Sequence, residues 1–252
     1  MTSDRRDNPW WIRFQPIVEP RARLFCFPFA GGSAGLFRAW AGRFPHVEVQ
    51  ALQLPGRENR LREPPLRRLD EAIQPLTDAM ATWLDRPYAF FGYSLGGLLA
   101  FETLRLLRRN GSRMPARLLI AAAEAPACEH ARTPPVHRLS DEDFVAELRR
   151  FKGTPEVVLQ TPELLQALLP MLRADFEMLE TYAASDEPAL NVPVTAYGGT
   201  VDEEVSPDKL AAWSDATTGS FSMQFFPGDH FFLKTSSESL LAAVAGELES
   251  IR

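Results

Sequence analysis

Cysteine is scarce in this 252-residue chain: there are two, Cys26 and Cys128. Two thiols so far apart build neither a disulfide framework nor a metal knuckle, so reduced, largely buried thiols in a cytoplasmic protein are expected. No apolar run is long enough to span a bilayer. The polar start, residues 1–8, leads into Pro9-Trp10-Trp11 and offers no signal-peptide core, so the Arg5-Arg6 pair is not read as an export signal. A basic excess is missing too: 33 acidic against 27 basic side chains leave a net charge of −6, which argues against a nucleic-acid binder. Lysine is nearly absent; Lys152, Lys209 and Lys234 apart, the basic residues are arginine, a signal of genome composition rather than of mechanism. Histidine, cysteine and carboxylates nowhere stand at metal-ligand spacing, so neither a metal nor an organic cofactor is expected.

The rest is ordinary for a globular protein, with 45% hydrophobic and 24% charged residues. The length suits a single domain over 1–252. Short apolar runs, all but Leu118–Ala123 ended directly by Pro or Gly, read as buried strands: Leu24–Phe27, Val47–Leu54, Tyr88–Phe91, Leu118–Ala123, Val192–Tyr197 and Ser222–Phe226. They are continuously apolar rather than alternating, as in a parallel sheet covered on both faces. Helical patterns fall between them, near 35–44, 70–85, 95–109, 206–216 and 236–250. This alternation predicts an α/β fold of βαβ units. The interval from Pro126 to Tyr182 breaks the rhythm. It has no strand candidate and two helical stretches, one opened by Ser140-Asp-Glu-Asp and a longer one, Leu164–Tyr182, that Pro170 should interrupt. Residues 126–185 are therefore expected to form a helical lid insertion over the C-terminal edge of the sheet.

Gly92-Tyr93-Ser94-Leu95-Gly96 matches G-x-S-x-G, and it lies where a strand candidate ends and a helix opens, the place of a nucleophile on a sharp strand-to-helix turn. Four histidines compete to be its base. His46 precedes an early strand, and His130 and His137 fall in the helical interval among charges and are expected to be solvated. His230, in Pro227-Gly-Asp-His-Phe-Phe232, follows the last strand, where chemistry sits in open α/β sheets. The acid should follow the strand before it, and Gly198-Gly-Thr-Val-Asp202 supplies Asp202, with Glu203 and Glu204 as solvated neighbours and Asp229 ranked below it. The order Ser…Asp…His is that of α/β-hydrolases, in which the serine attacks, the histidine takes its proton and the aspartate orients the imidazole. The oxyanion hole would take one N–H from Leu95 and a second from the loop Phe27-Pro-Phe-Ala-Gly-Gly-Ser33, where Ala30 is the candidate.

Taken together, Phe27-Pro-Phe-Ala-Gly-Gly, Leu54-Pro-Gly-Arg57, Phe91-Gly-Tyr-Ser-Leu-Gly-Gly97, Arg173-Ala-Asp-Phe176, Gly198-Gly-Thr-Val-Asp202 and Phe226-Pro-Gly-Asp-His-Phe-Phe232 resemble the type II thioesterases, the stand-alone partners of nonribosomal peptide and polyketide synthases. The resemblance runs from about Trp11 to the C-terminus. It implies an α/β-hydrolase fold and hydrolysis of acyl or aminoacyl thioesters from the phosphopantetheine arms of carrier proteins, clearing misprimed or stalled arms. It places nucleophile, acid and base on Ser94, Asp202 and His230. It also singles out Phe29 and Tyr93, where the family often has histidine, as positions bearing on substrate preference.

Phe144, Leu148, Leu168, Leu172, Phe176 and Leu179 recur at helical spacing in the insertion and are candidates for lining an acyl chamber, or equally for packing the insertion. The segment Arg57–Arg68 carries five arginines against two glutamates. Expected in an exposed loop beside Ser94, it offers Arg57, Arg60, Arg62, Arg67 and Arg68 to an acidic carrier protein or to the arm's phosphate, or else serves only solubility. A monomer is expected. Two other readings stay open at this point: an esterase or lipase using the same residues, and a hydrolase-like module that only binds partners.

Overall fold

The structure, a computed structural model, describes residues 8–251, so the Arg5-Arg6 pair lies outside the described residues. Its centre is a seven-stranded sheet: β1 (Trp11–Ile12), β2 (Ala22–Phe27), β3 (Val47–Leu52), β4 (Tyr88–Tyr93), β5 (Arg117–Ala121), β6 (Val194–Gly199) and β7 (Phe221–Phe226), in the spatial order β1-β3-β2-β4-β5-β6-β7. Six strands are parallel, and β1 pairs antiparallel with β3. The six correspond to the apolar runs of the sequence. β1 has no counterpart there, because two residues carry no periodicity. Alternate side chains serve opposite faces: Phe25 and Phe27 of β2 join one core, Leu24 and Cys26 the other. The first core is covered by helices α1 (Leu69–Met80) and α2 (Leu95–Arg109). The second is covered by Phe37 and Trp40 of a 3₁₀ turn, Ala34–Trp40, where the sequence had suggested a longer helix.

Building starts at β2, steps outward to β3, and then returns past β2 to β4. The reversal opens a crevice beyond the C-terminal ends of β2 and β4, where open α/β sheets bind ligands.

Between β5 and β6 the chain leaves the sheet for α3 (Asp141–Phe151), α4 (Glu156–Gln160) and α5 (Pro162–Glu180). Ser140 caps α3 by accepting from the Asp143 N–H at 3.1 Å. These helices have a core of their own, built on Phe144, Leu148, Leu159, Met171, Leu172 and Phe176. Pro170 does not interrupt α5. It stands on the exposed side, where water can satisfy the carbonyl left without a donor, and the helix runs through it. After β6 come α6 (Pro207–Ala211) and a 3₁₀ turn, and after β7 the short α7 (Phe232–Thr235) and α8 (Ser237–Glu249), whose Leu240, Leu241, Val244 and Leu248 close the second core. Neither cysteine is in a disulfide. Among the described residues no helix is long and apolar enough to cross a membrane.

Candidate active site

Ser94 sits on the turn from β4 into α2 with φ 53° and ψ −120°, a conformation that L-residues rarely adopt and that turns the side chain out of the sheet. Its N–H donates to the Ala121 carbonyl at 2.8 Å. The turn is possible because of its glycines. A Cβ on Gly96 would lie 2.1 Å from the Phe27 carbonyl oxygen, so the first turn of α2 presses directly on the chain leaving β2.

His230 Nε2 stands 3.2 Å from Ser94 Oγ, and its Nδ1 lies 3.0 and 3.3 Å from the two Asp202 oxygens. Asp202 Oδ1 also accepts from the N–H groups of Glu204 and Val205, at 2.8 and 3.1 Å. Burial raises the Asp202 carboxyl pKa, but the hydrogen bond and charge of His230 and the two backbone donors outweigh it, so the group lies below its ordinary value and stays ionised. The loops bearing Asp202 and His230 are tied by main chain, Thr200 N–H to Phe226 O and Val201 N–H to Gly228 O, and a Cβ on Gly199 would meet the Asp229 carbonyl at 2.5 Å. Asp229 points elsewhere: it accepts from the Phe231 N–H and faces Lys152 at 3.7 Å.

Leu95 is the first residue of α2, so its N–H has no acceptor within the helix. Ala30 lies in the loop after β2 and borders, with Ser94 and His230, a cavity of about 550 Å³, the size of a small-molecule site. Leu148, Phe176 and Leu179 line this cavity, as does Phe29. Phe151, Leu98 and Phe231 do so as well; none of the three stood out in the sequence.

Several expectations need correction. Phe144, Leu168 and Leu172 do not face the cavity. Phe144 is fully buried edge-to-face against Phe176, Leu168 packs on the helical segment's own core, and Leu172 rests against Gly31. Tyr93 is fully buried beneath the site and does not line the cavity; its hydroxyl donates to the His230 carbonyl at 2.5 Å and so supports that residue. His130 and His137 are not solvated. His130 lines the cavity edge-on to Tyr182, and burial depresses its pKa; His137 Nδ1 is 2.5 Å from Glu180, which also accepts from two backbone N–H groups. Glu204 is a bridge, held by Arg132 at 2.6 Å and Arg150 at 2.5 Å.

The arginine segment divides. Arg57 and Arg60 are only 3% and 6% exposed, because the turn at Gly56 (φ +84°) folds the segment back on β3's exit. Arg60 reaches the Gln53 carbonyl and covers the Trp10 ring, and Arg57 pairs with Asp175. Neither can meet a partner protein. Arg62, Arg67 and Arg68 are exposed, Arg67 beside Glu177 and Arg68 beside Asp70. Among the described residues no group of His, Cys, Asp and Glu is disposed to hold a metal ion.

A family model described as a thioesterase domain matches residues 22–250. The gramicidin S biosynthesis protein GrsT of Aneurinibacillus migulanus is 37% identical over 252 residues, covering 100% of this chain and 98% of that protein. Among solved structures, the type II thioesterase BorB from the borrelidin biosynthetic cluster superposes with a TM-score of 0.87 at 36% identity, over 98% of this chain and 99% of that one. The thioesterase RedJ from the prodiginine pathway in Streptomyces coelicolor gives 0.85 at 37% identity, over 91% and 86%.

Proposed function

The chain belongs to the thioesterase family and is a thioester hydrolase of the type II kind, and from that premise we propose that it removes acyl and aminoacyl groups from the phosphopantetheine arms of carrier proteins in nonribosomal peptide or polyketide synthesis, freeing misprimed or stalled arms. Ser94 is the nucleophile, His230 the base and Asp202 the orienting acid. The observation that carries this reading is the hydrogen-bonded line from Asp202 through His230 to Ser94, ending at a cavity of acyl size.

In the first half-reaction Ser94 Oγ attacks the thioester carbon while His230 Nε2 takes its proton. The oxyanion is held by the Leu95 and Ala30 N–H groups, a donor of this kind contributing roughly 3 kcal/mol. Collapse breaks the carbon–sulfur bond, and the imidazolium returns the proton to the leaving sulfur. A thiol of pKa about 8.5 needs far less acid assistance than an alcohol, which suits a thioester. Water, deprotonated by the same imidazole, then attacks the acyl-serine; Ser94 recovers its proton and the carboxylic acid departs.

The helical segment of residues 126–185 acts as a lid, with Leu148, Phe176 and Leu179 as the wall that selects the acyl group. Arg62, Arg67 and Arg68 guide the acidic carrier, since a net charge of −6 would otherwise repel it. Ser94, His230 and Asp202 complete their hydrogen-bonded line within a single chain, so a monomer suffices for the chemistry, and two thiols outside any disulfide suit the cytoplasm. The test is hydrolysis of an acyl-carrier protein beside an oxygen ester of the same acyl group, by wild type and Ser94→Ala. Thioester turnover should dominate and vanish in Ser94→Ala. Faster turnover of the oxygen ester, or an active Ser94→Ala, would overturn the reading.

A further inference from the structure

The only charged pair buried on both sides between α5 and the body, among the described residues, does not stand alone in apolar surroundings. Arg57 Nη2 and Nη1 bond the two Asp175 oxygens at 2.7 and 2.8 Å, and both side chains are nearly inaccessible. Each partner also reaches the loop after β2. Asp175 Oδ2 accepts from the Gly31 N–H at 2.6 Å, and Arg57 Nη1 donates to the Gly32 carbonyl at 2.8 Å. These are consecutive residues of a turn closed by the Gly32 N–H on the Phe29 carbonyl, at 2.8 Å, with Ala30 and Gly31 at its centre. Gly31 has φ +81°, and a Cβ there would lie 2.6 Å from Leu172 of α5, so the helix rests on the turn.

A buried ion pair is weak evidence for stability, because apolar side chains of similar volume commonly replace one without loss. Its bonds to the turn point to another role. We propose, resting on the assignment of Ala30 as oxyanion donor, that Asp175 and Arg57 are positioning residues: the pair fixes the Ala30 turn from the helical segment, so that the oxyanion hole is complete only when α5 is seated. The same helix presents Phe176 and Leu179 to the cavity, so the wall that holds the acyl group and the donor that holds its oxyanion are set by one element. If Asp175 withdraws, the Gly31 N–H loses its acceptor and Arg57 loses its partner, and the turn keeps only its own closing bond and the bond from a now unanchored Arg57 to the Gly32 carbonyl. A displacement of about 1 Å at such a donor is enough to cost on the order of 100-fold in rate.

The test pairs Arg57→Met with Asp175→Leu, which leaves no orphaned charge, and adds Asp175→Asn, which keeps the side-chain shape should the double variant fail to fold. Five quantities are read on each: melting temperature, kcat and KM for an acyl-pantetheine mimic, affinity for an alkyl boronic acid that forms a tetrahedral adduct, and affinity for the carboxylic acid product. In the folded double variant kcat should fall about 100-fold with KM near wild type. Boronate affinity should weaken in proportion while product affinity stays unchanged. Asp175→Asn should show the same pattern more weakly, since its amide oxygen can still accept from Gly31. A wild-type kcat in a folded variant would overturn the proposal, as would product and boronate affinities weakening together. Ser94→Ala is run alongside: activity in that variant would overturn the assignment of the nucleophile, whereas an inactive Ser94→Ala beside fully active Asp175 variants overturns the positioning role alone.

Discussion

Ser94, Asp202 and His230 stand on loops held by main-chain hydrogen bonds, whereas the helices above them are bound to the body largely through side chains. Below the cavity, the Ser94 N–H is held by Ala121, the loops of acid and base share two backbone hydrogen bonds, and Gly96 and Gly199 permit contacts that no Cβ would. Above it, the helical segment has its own small core and meets the rest through Arg57–Asp175, the Arg132–Glu204–Arg150 bridge and Arg67–Glu177. A base held by main chain fixes reacting atoms whatever the surrounding side chains are. A roof held by side chains can change its lining without moving Ser94, Asp202 or His230, while the Ala30 turn alone depends on where α5 sits.

The sharpest way to break this division is at the acid. Asp202→Asn should lower kcat about 10⁴-fold by favouring the wrong imidazole tautomer, while Asp229→Asn, whose carboxylate does not touch His230, should leave kcat nearly intact. A larger loss at Asp229 in steady-state kinetics would mean that the acid is misassigned. Next is Glu180, which accepts from the Val136 and His137 N–H groups and faces His137 Nδ1. Glu180→Gln should cost about 1–3 kcal/mol of stability by mispairing buried donors. Hydrogen exchange should quicken across 136–180 and not in β4; uniform quickening would show that roof and base unfold as one.

Smaller effects sharpen the picture. Leu148→Ala and Leu179→Ala should move selectivity toward longer acyl chains by roughly fourfold in kcat/KM per methylene newly accommodated, read on a ladder of acyl-pantetheines. An unchanged ladder would assign both residues to packing alone. His130 gives a pH signature of the roof. Burial, which outweighs the opposing pull of Glu124, holds its folded pKa below the unfolded value of about 6.5. The unfolded chain therefore binds the proton more readily, so this contribution to stability is full above pH of about 6.5 and is lost as pH falls toward the folded pKa. Replacing His130 with Gln should flatten the melting temperature against pH in that window, and an unaltered slope would place its origin elsewhere.

The same division governs how much was legible in the sequence. Strands of the sheet announce themselves as apolar runs, mostly stopped by Pro or Gly, and the loops after β4, β6 and β7 follow from their order, so the juxtaposition of Ser94, Asp202 and His230 could be anticipated. β1 could not, since two residues show no pattern. In the roof, helical periodicity locates α3 and α5 but does not tell an inner core from a cavity wall: Phe144, Leu168 and Leu172 share the spacing of Leu148, Phe176 and Leu179 and face elsewhere. Charges were misread for a related reason. Arg57, Glu204 and His137 look solvated in a run of polar residues, because the partners that bury them (Asp175, Arg150 and Glu180) lie far along the chain, and Arg60 does so because the turn at Gly56 that brings it back to Gln53 leaves no mark in a charge count. Position 170 shows the converse, a proline that the exposed side of a helix tolerates.

The central claim is that the main-chain-held base does the chemistry through Ser94. It is tested most directly by treating the enzyme with an alkyl fluorophosphonate and following, in one sample, the site of the adduct by peptide mass and the remaining thioester turnover. The account predicts a single adduct on Ser94, with activity falling in proportion to its occupancy, and the same labelling rate in Leu148→Ala. An adduct on another residue, or full thioester turnover with Ser94 blocked, would contradict it.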